Sequence, residues 1–419
     1  MRRWIQVGVV LVCAACAAHG QEEGIFADFR TSMGEFTVRL DYERAPRAVA
    51  SFVGLATGEN AWADPQGNIW NQPFYDGSIF HRVVKDAATN GIAIQGGGII
   101  SLSVNTNTGV VTTNFSNAGY QMLEFVTNGL VHSNGVISMA NSGPNTDGSQ
   151  FFVTSTSVPV WDGSYSVFGN VVSGQSVVAE IADVSVQGTG SRPVTDVVLS
   201  NVMIRREGAA AETFDISAQG VPIVESGPMR AYASGDDLIL EVELAQNTET
   251  LFRESDGLDY WEPSYDFGVR SDATRILTNS VSRAQLGDTY FFHASRIRYP
   301  IPVTTPFQHR GQKYTFTWFT TSSVTYEASF GPNYLTPGSF IETTGGSVAN
   351  GQLLSAAESW TRGAYSARLV FLDSRNRQYQ FTLGFNPEAA TNRFTGLAGE
   401  IILGQFVPRM QLSGTFTVE

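Results

Sequence analysis

Cysteine is almost absent from this chain. The 419 residues hold two, Cys13 and Cys16, both inside the first twenty positions, so the rest can form no disulfide, no thiolate metal site and no thiol nucleophile. Its stability has to come from packing. Histidine is scarce as well: beyond His19 there are His81, His132, His293 and His309, scattered singly. None of them makes the His-x-x-x-His pair of a catalytic zinc site, so no metal is expected. A membrane-spanning run is lacking too. The apolar stretch from Trp4 to Ala18 is shorter than the roughly 20 residues that cross a bilayer. It follows Arg2 and Arg3 and ends in Ala18-His19-Gly20, the pattern of a secretory signal cleaved before Gln21. The expectation is a signal peptide over residues 1–20 and an exported mature protein, periplasmic, on the cell surface or secreted, with no membrane contact after cleavage. Lipidation is a poorer reading, because Cys13 follows Val12 and Cys16 has Cys13 where a lipoprotein carries Leu.

Basic residues are outnumbered, 26 Lys and Arg against 39 Asp and Glu, for a formal net charge of −13. Phosphate contact needs clustered Lys and Arg, so nucleic acid is not an expected partner. The acidity suits solubility instead. At roughly 150 residues per domain the length suggests two or three domains.

Along the chain the patterning is mostly that of short strands. Two apolar runs between Gly24 and Leu40, split at Ser32-Met33-Gly34, read as a hairpin. Ala45, Val49, Phe52, Val53 and Ala56 recur at helical spacing, with Pro46 suited to the first turn and Gly58 to the stop. Asn60 to Pro73 has no periodicity and reads as a loop. A second helix is expected over Ser176 to Ala182, and Val197 to Ile204 is a β-branched run. Gly208-Ala209-Ala210-Ala211 is small and unpatterned and reads as a linker. Beyond it, the clean alternation of Leu238 to Leu244 and the aromatic runs near Tyr260-Trp261 and Tyr290-Phe291-Phe292 suggest a β-sandwich module over 208–306, with a faint likeness to fibronectin-type modules. Residues 307–419, with Tyr314 to Phe319, Tyr379 to Leu383 and Gln411 to Val418, suggest a second β-rich module. Glu254, Asp256, Asp259 and Asp266 cluster without the regular spacing of a calcium loop. Trp261, Trp318 and Trp360 suit either a binding face or a sandwich core.

Three ordered segments are far more specific. Phe74-Tyr75-Asp76-Gly77-Ser78-Ile79-Phe80-His81-Arg82-Val83-Val84 comes first, then Ile94-Gln95-Gly96-Gly97-Gly98. The third, from Ser138 to Thr154, reads Ser-Met-Ala-Asn-Ser-Gly-Pro-Asn-Thr-Asp-Gly-Ser-Gln-Phe-Phe-Val-Thr. The glycines at 96–98 lack the strand-turn-helix setting of a nucleotide site. Together the segments resemble the cyclophilins, over Gly24 to about Glu207. The resemblance implies a mainly β fold, a closed antiparallel barrel capped by two helices over residues 21–207, with the β-sandwich-type modules behind it. It also implies a peptidyl-prolyl cis-trans isomerase that needs no cofactor and takes proline-containing segments, here those of exported proteins.

The site residues follow from the same resemblance. Arg82 matches the family's donor to the proline nitrogen, and Gln95 the side chain that holds the substrate backbone and orients that Arg. Ala140 and Asn141 match residues that grip the peptide through backbone groups, and Phe152 matches the floor of the proline pocket. Phe151 should point into the barrel, because successive strand residues face opposite sides. There are also departures. Twelve residues, Val83 to Ile94, separate Arg82 from Gln95, so Lys85 to Asn90 read as an insertion beside the site. The family's Phe and Met align with Ile92 and Ala93, which predicts a wider, less aromatic pocket. Counting from Phe152, the family's Trp falls on Val160 and its Leu on Trp161, leaving open whether the Trp has moved or the loop shifts register. Its His falls on Tyr165. Cyclosporin leans on that Trp and His, so only weak cyclosporin binding is expected. Two other classes compete with the enzyme: a module that captures proline peptides without turning them over, and an adhesion protein whose main role lies in residues 208–419.

Overall fold

The structure is a computed structural model that describes residues 22–419 except 66, 105–110, 125, 189–190, 256–261, 271–273, 283–290, 304, 306–308, 333–335, 355–357, 363, 390 and 403–404. The signal-peptide expectation over residues 1–20 lies outside the described residues, as do Asp256, Asp259 and Trp261 and the side chains of Glu254, Asp266 and Trp360.

The first module begins with the hairpin β1 (Gly24–Thr31) and β2 (Gly34–Leu40), followed by α1 (Pro46–Thr57). Its other strands are β3 (Trp62–Ala63), β4 (Ile69–Trp70), β5 (Ser78–Phe80), β6 (Arg82–Lys85), β7 (Gly91–Gly96), β8 (Ile99–Val104), β9 (Val111–Ser116), β10 (Val136–Met139), β11 (Phe151–Thr154) and β12 (Val167–Ser173). Helix α2 (Gln175–Asp183), the short strands β13 (Val186–Gln187) and β14 (Arg192–Pro193), and β15 (Val197–Glu207) complete it. Nine strands join in the order β5-β15-β1-β2-β12-β10-β11-β7-β6, paired antiparallel throughout. Its two end strands, β5 and β6, are consecutive in the chain and separated only by His81, so the sheet comes round on itself as a nearly closed barrel.

Strand alternation fills that barrel. Phe29 on β1 lies opposite Phe36 on β2, their rings stacked at 4.5 Å. Phe151 makes edge contacts with Phe29, Phe52, Tyr75 and Phe80, while its neighbour Phe152 points to the other side. Pro46 opens α1, and Gly58 closes it in the left-handed conformation, φ +77°. A Cβ on Gly58 would lie 2.8 Å from the Gln72 carbonyl carbon. Gly58→Ala should therefore cost about 2 kcal/mol, read from the urea midpoint; an unchanged midpoint would show that this turn relaxes freely.

Two stretches are more ordered than their sequence suggests. Asn60 to Pro73 contains the β3–β4 pair, with Trp62 stacked on Trp70 at 5.9 Å. The Gly208-Ala209-Ala210-Ala211 stretch, expected to be a linker, carries a short third helix, α3 (Ala209–Glu212), with Ala211 buried. Alanine has the best helix propensity and the smallest obstacle to close packing, so an unpatterned alanine run can be a packed turn. Just beyond it Phe214 packs on Tyr42 at 5.3 Å.

Two facing sheets follow. One has the order β16 (Ile223–Ser226), β22 (Phe291–Arg298), β19 (Thr248–Ser255), β20 (Glu262–Arg270); the other has β17 (Met229–Ser234), β18 (Asp237–Leu244), β21 (Arg275–Ser282). Leu240, Val242 and Leu244 of one sheet pack with Phe252 and Ala294 of the other, which makes a sandwich. The last module is a single nine-stranded sheet of two meanders: β23 (Lys313–Phe319), β24 (Ser323–Ser329), β25 (Gly338–Thr344), β26 (Ser347–Leu353), then β27 (Ser359–Arg362), β28 (Ser366–Leu372), β29 (Arg377–Gly384), β30 (Asn392–Ile402), β31 (Gln405–Val418). Tyr326 on β24 reaches Tyr379 on β29, ring centroids 4.9 Å apart, and Phe316 on β23 reaches Phe381 at 4.7 Å. Strands distant in the sheet thus face each other across an aromatic core, and a bridge between Leu353 and Asp373 brings β26 round to β28. Trp318 belongs to this core.

The modules are not beads on a string. Ile216, Val221, Tyr299, Val303 and Tyr365 belong to the same apolar cluster as the barrel and α1. That is why α1 is buried nearly all round, including Arg47.

Candidate active site

Register places the central groups. Arg82 on β6 is directly opposite Gln95 on β7, Gln95 is opposite Phe152 on β11, and Phe152 is opposite Ser138 on β10. Residues directly opposite in antiparallel strands present side chains on the same face, so the four make one row outside the barrel. Arg82 Nη1 donates to Gln95 Oε1 at 3.3 Å, and Gln95 Nε2 donates to Gln150 Oε1 at 3.1 Å. The Arg82 side chain is exposed, and this relay holds one nitrogen of its guanidinium. Beside it, burial and then the Arg82 charge push His81 down to about 4, so this imidazole is neutral at physiological pH.

Phe152, 5% exposed, is ringed by aromatics. Trp161 packs edge-on against it at 5.2 Å, Tyr165 edge-on at 5.4 Å, and His132 lies nearly parallel at 5.8 Å. A 3₁₀ turn over Pro159–Trp161 swings the indole inward, with the Trp161 amide bonded to Val158 O at 3.0 Å. Val160 is left 82% exposed. The aromatic wall is therefore Trp161 and not position 160.

Ala140 and Asn141 flank the row. The Ala140 amide donates to Gln150 O at 2.8 Å. The Asn141 side chain is used internally, Nδ2 donating to Asp147 Oδ1 at 3.1 Å and Ser164 O at 3.0 Å. The Ala140 carbonyl and the Asn141 main chain take no hydrogen bond among the described residues. An extended peptide could pair with them.

Residues 26–204 match the family model for cyclophilin type peptidyl-prolyl cis-trans isomerases. Peptidyl-prolyl cis-trans isomerase B of Streptomyces anulatus is 34% identical over 185 residues, 43% of this chain and 97% of that protein. This chain belongs to the cyclophilin-type peptidyl-prolyl cis-trans isomerase family. Peptidyl-prolyl cis-trans isomerase A of Mycobacterium tuberculosis is likewise 34% identical, over 186 residues, 42% of this chain and 91% of that protein. A solved cyclophilin type isomerase of Cryptosporidium parvum aligns at 24% identity and a TM-score of 0.33 over 44% of this chain and 98% of its own. The sandwich and the last barrel lie beyond the family match.

Within this cyclophilin, Arg82, Gln95, Phe152, Trp161 and Tyr165 gather as the motifs suggest, and two expected pocket residues, Val160 and Ala93, do not. Val160 faces solvent. Ile92 is half-buried and sits at a bulge, where Val84 pairs with Ala93 and Lys85 with Gly91, so strand alternation does not assign it a side. Ala93 shares the Gln95 side but is fully enclosed between Val84 and Thr154 on its neighbouring strands. The insertion leans on α2, Lys85 Nζ donating to Ala182 O at 3.1 Å, with Asp86 accepting from the Ala88 and Asn90 amides. A residue with no sequence signal backs the pocket floor. His132 sits behind Phe152, Nδ1 2.8 Å from Asp162 Oδ1 and Nε2 3.2 Å from Ser138 Oγ. Burial lowers its pKa, so a neutral ring donates to Asp162 and accepts from Ser138.

Proposed function

We propose that Arg82 is the catalytic donor of this isomerase and that its substrates are proline-containing segments of exported proteins. The observation that carries the reading is the Arg82–Gln95–Phe152 row: a fixed, exposed guanidinium beside an aromatic floor. The barrier to rotation about a peptide bond, about 18–20 kcal/mol, arises from resonance between nitrogen and carbonyl. No bond breaks, so neither nucleophile nor metal is required. In the twisted transition state the nitrogen lone pair is localised and accepts a hydrogen bond that the planar amide cannot. A guanidinium aimed there binds the transition state more tightly than the ground state. Such a charged hydrogen bond, about 1.5–3 kcal/mol, supplies roughly ten- to a hundredfold. The apolar pocket on Phe152, Trp161 and Tyr165 holds the proline ring and favours the less polar twisted amide. The open main-chain groups of Ala140 and Asn141 receive the residues before it.

A protease-coupled isomerisation assay on residues 21–419 tests the reading. Acceleration of cis-to-trans exchange in a proline tetrapeptide supports it. A folded chain that binds the peptide and leaves the uncatalysed rate unchanged would be the proline-binding module instead. Trp161→Ala should raise KM about tenfold with a smaller change in kcat, since it removes ring area that touches proline in both states; an unchanged KM would place proline elsewhere. Cyclosporin should inhibit weakly, with the indole supplied by Trp161 and Tyr165 in place of a histidine. For export, sequencing the protein recovered outside the cytoplasm should find Gln21 at its N-terminus.

A further inference from the structure

The pocket wall is held by a residue from the far end of the chain. Arg393 lies on β30 of the last barrel, and its guanidinium forks: Nη1 is 2.6 Å from Glu124 Oε1 and Nη2 donates to the Gly163 carbonyl. Gly163 belongs to the turn between Trp161 and Tyr165, closed by the Ser164 amide on Trp161 O at 3.0 Å. Nothing lies within 4 Å of where a Gly163 Cβ would be; on either side of it the first module holds the turn through His132 on Asp162 and Asn141 on Ser164 O, and at Gly163 itself the hold is the Arg393 fork. Glu124 is an anchor in the first module: its side chain is 5% exposed against 34% for Arg393. The other gripping segment rests on the same sheet. Asn145 Nδ2 donates to Tyr365 O at 3.4 Å, and Gly143 lies so close to Thr382 and Thr395 that a Cβ there would sit 2.7 Å from the Thr382 methyl.

We propose that Arg393 is a positioning residue for the proline pocket, clamping the Trp161–Tyr165 turn against Glu124, so that the isomerase site of this chain is complete only with its last β-barrel docked. This rests on the proposed roles of Trp161 and Tyr165. Arg suits the task because its planar fork reaches two acceptors at once, which an ammonium cannot do with the same geometry. The competing explanation is an ion pair that merely glues two modules together. The interface contains a control for that: Arg47 and Glu388 form a second cross-module pair at 3.0 Å, in which neither residue belongs to the pocket turn.

The test measures kcat and KM on full-length chains carrying Arg393→Ala, Arg393→Lys or Glu388→Gln. Arg393→Ala should lower kcat/KM about tenfold, mostly through KM, the scale of one charge-assisted hydrogen bond. Arg393→Lys should recover only part of that, and Glu388→Gln should stay within twofold of the parent. The proposal is overturned if Arg393→Ala is also within twofold, or if Glu388→Gln costs as much. Should the alanine variant not fold, the lysine variant decides: a several-fold loss supports the clamp and full activity refutes it. If the parent itself shows no isomerase rate, the same comparison is made on proline-peptide affinity. The catalytic reading then fails separately, while a tenfold affinity loss in Arg393→Ala still supports the clamp and unchanged affinity refutes it.

Discussion

Arg82→Ala in the full-length chain should lose roughly ten- to a hundredfold in kcat/KM while keeping its far-UV spectrum and melting temperature. The rate loss follows from one charged hydrogen bond, about 1.5–3 kcal/mol, made only when the amide is twisted. The unchanged fold follows from the position of the residue: it sits on an end strand of the sheet, exposed, and among the described residues its side chain makes one hydrogen bond, to Gln95. Because the interaction belongs to the transition state, kcat should fall and KM should hardly move, opposite to the pattern expected for Trp161→Ala. Arg82→Lys should not restore the rate, since an ammonium lacks the planar fork that Gln95 orients. An Arg82→Ala chain with parental kcat would end the catalytic assignment and leave a pocket that works by desolvation alone.

Asp147→Asn should stabilise the protein at pH 8 by about 3 kcal/mol and do little at pH 4. Asp147 is 1% exposed. Its Oδ1 accepts from Asn141 Nδ2 at 3.1 Å and its Oδ2 from Ser166 Oγ at 2.5 Å, both neutral donors. Burial dominates, and it raises the carboxyl from 3.8 to about 6 in spite of those bonds. The sign is therefore the reverse of a salt-bridged aspartate: the contribution to stability is fully present below 3.8 and is lost as pH rises through about 6, where the fold has to bury a charge. Asparagine keeps an oxygen for Asn141 and can donate to Ser166. It also removes a negative charge that helps burial raise Glu124 to about 7, so Glu124 should ionise more readily toward Arg393. Urea midpoints at pH 4 and pH 8 check this. A variant weaker than the parent at both pH values would show that the carboxylate is stabilised by something other than these two donors.

Much of the catalytic half was legible before any coordinates. Three ordered motifs located Arg82, Gln95 and Phe152, and strand alternation separated Phe151 from Phe152, as the barrel bears out. Pro46 and Gly58 marked the ends of α1 because each has a backbone preference that acts locally. Other features were not legible, for particular reasons. Whether Val160 or Trp161 lines the pocket depends on a 3₁₀ turn, and a one-residue step in a turn leaves no periodic trace. His132 is a lone histidine in sequence. Its role comes from Asp162 and Ser138, which the fold brings to its two ring nitrogens. Ala93 matched a pocket position by alignment, but its enclosure between Val84 and Thr154 takes it out of reach.

By itself the sequence determined the chemistry: an antiparallel barrel whose motifs carry a guanidinium, an amide and an aromatic floor in a fixed order. These are short-range facts, set by alternation along strands and by residue type. Only the tertiary structure decided that residues 208–419 are part of the same body. Ile216, Tyr299 and Tyr365 complete the cluster around α1, and Arg393 reaches Glu124 and Gly163. The physical reason is that such contacts join residues more than 150 positions apart, and periodicity does not record which buried face meets which.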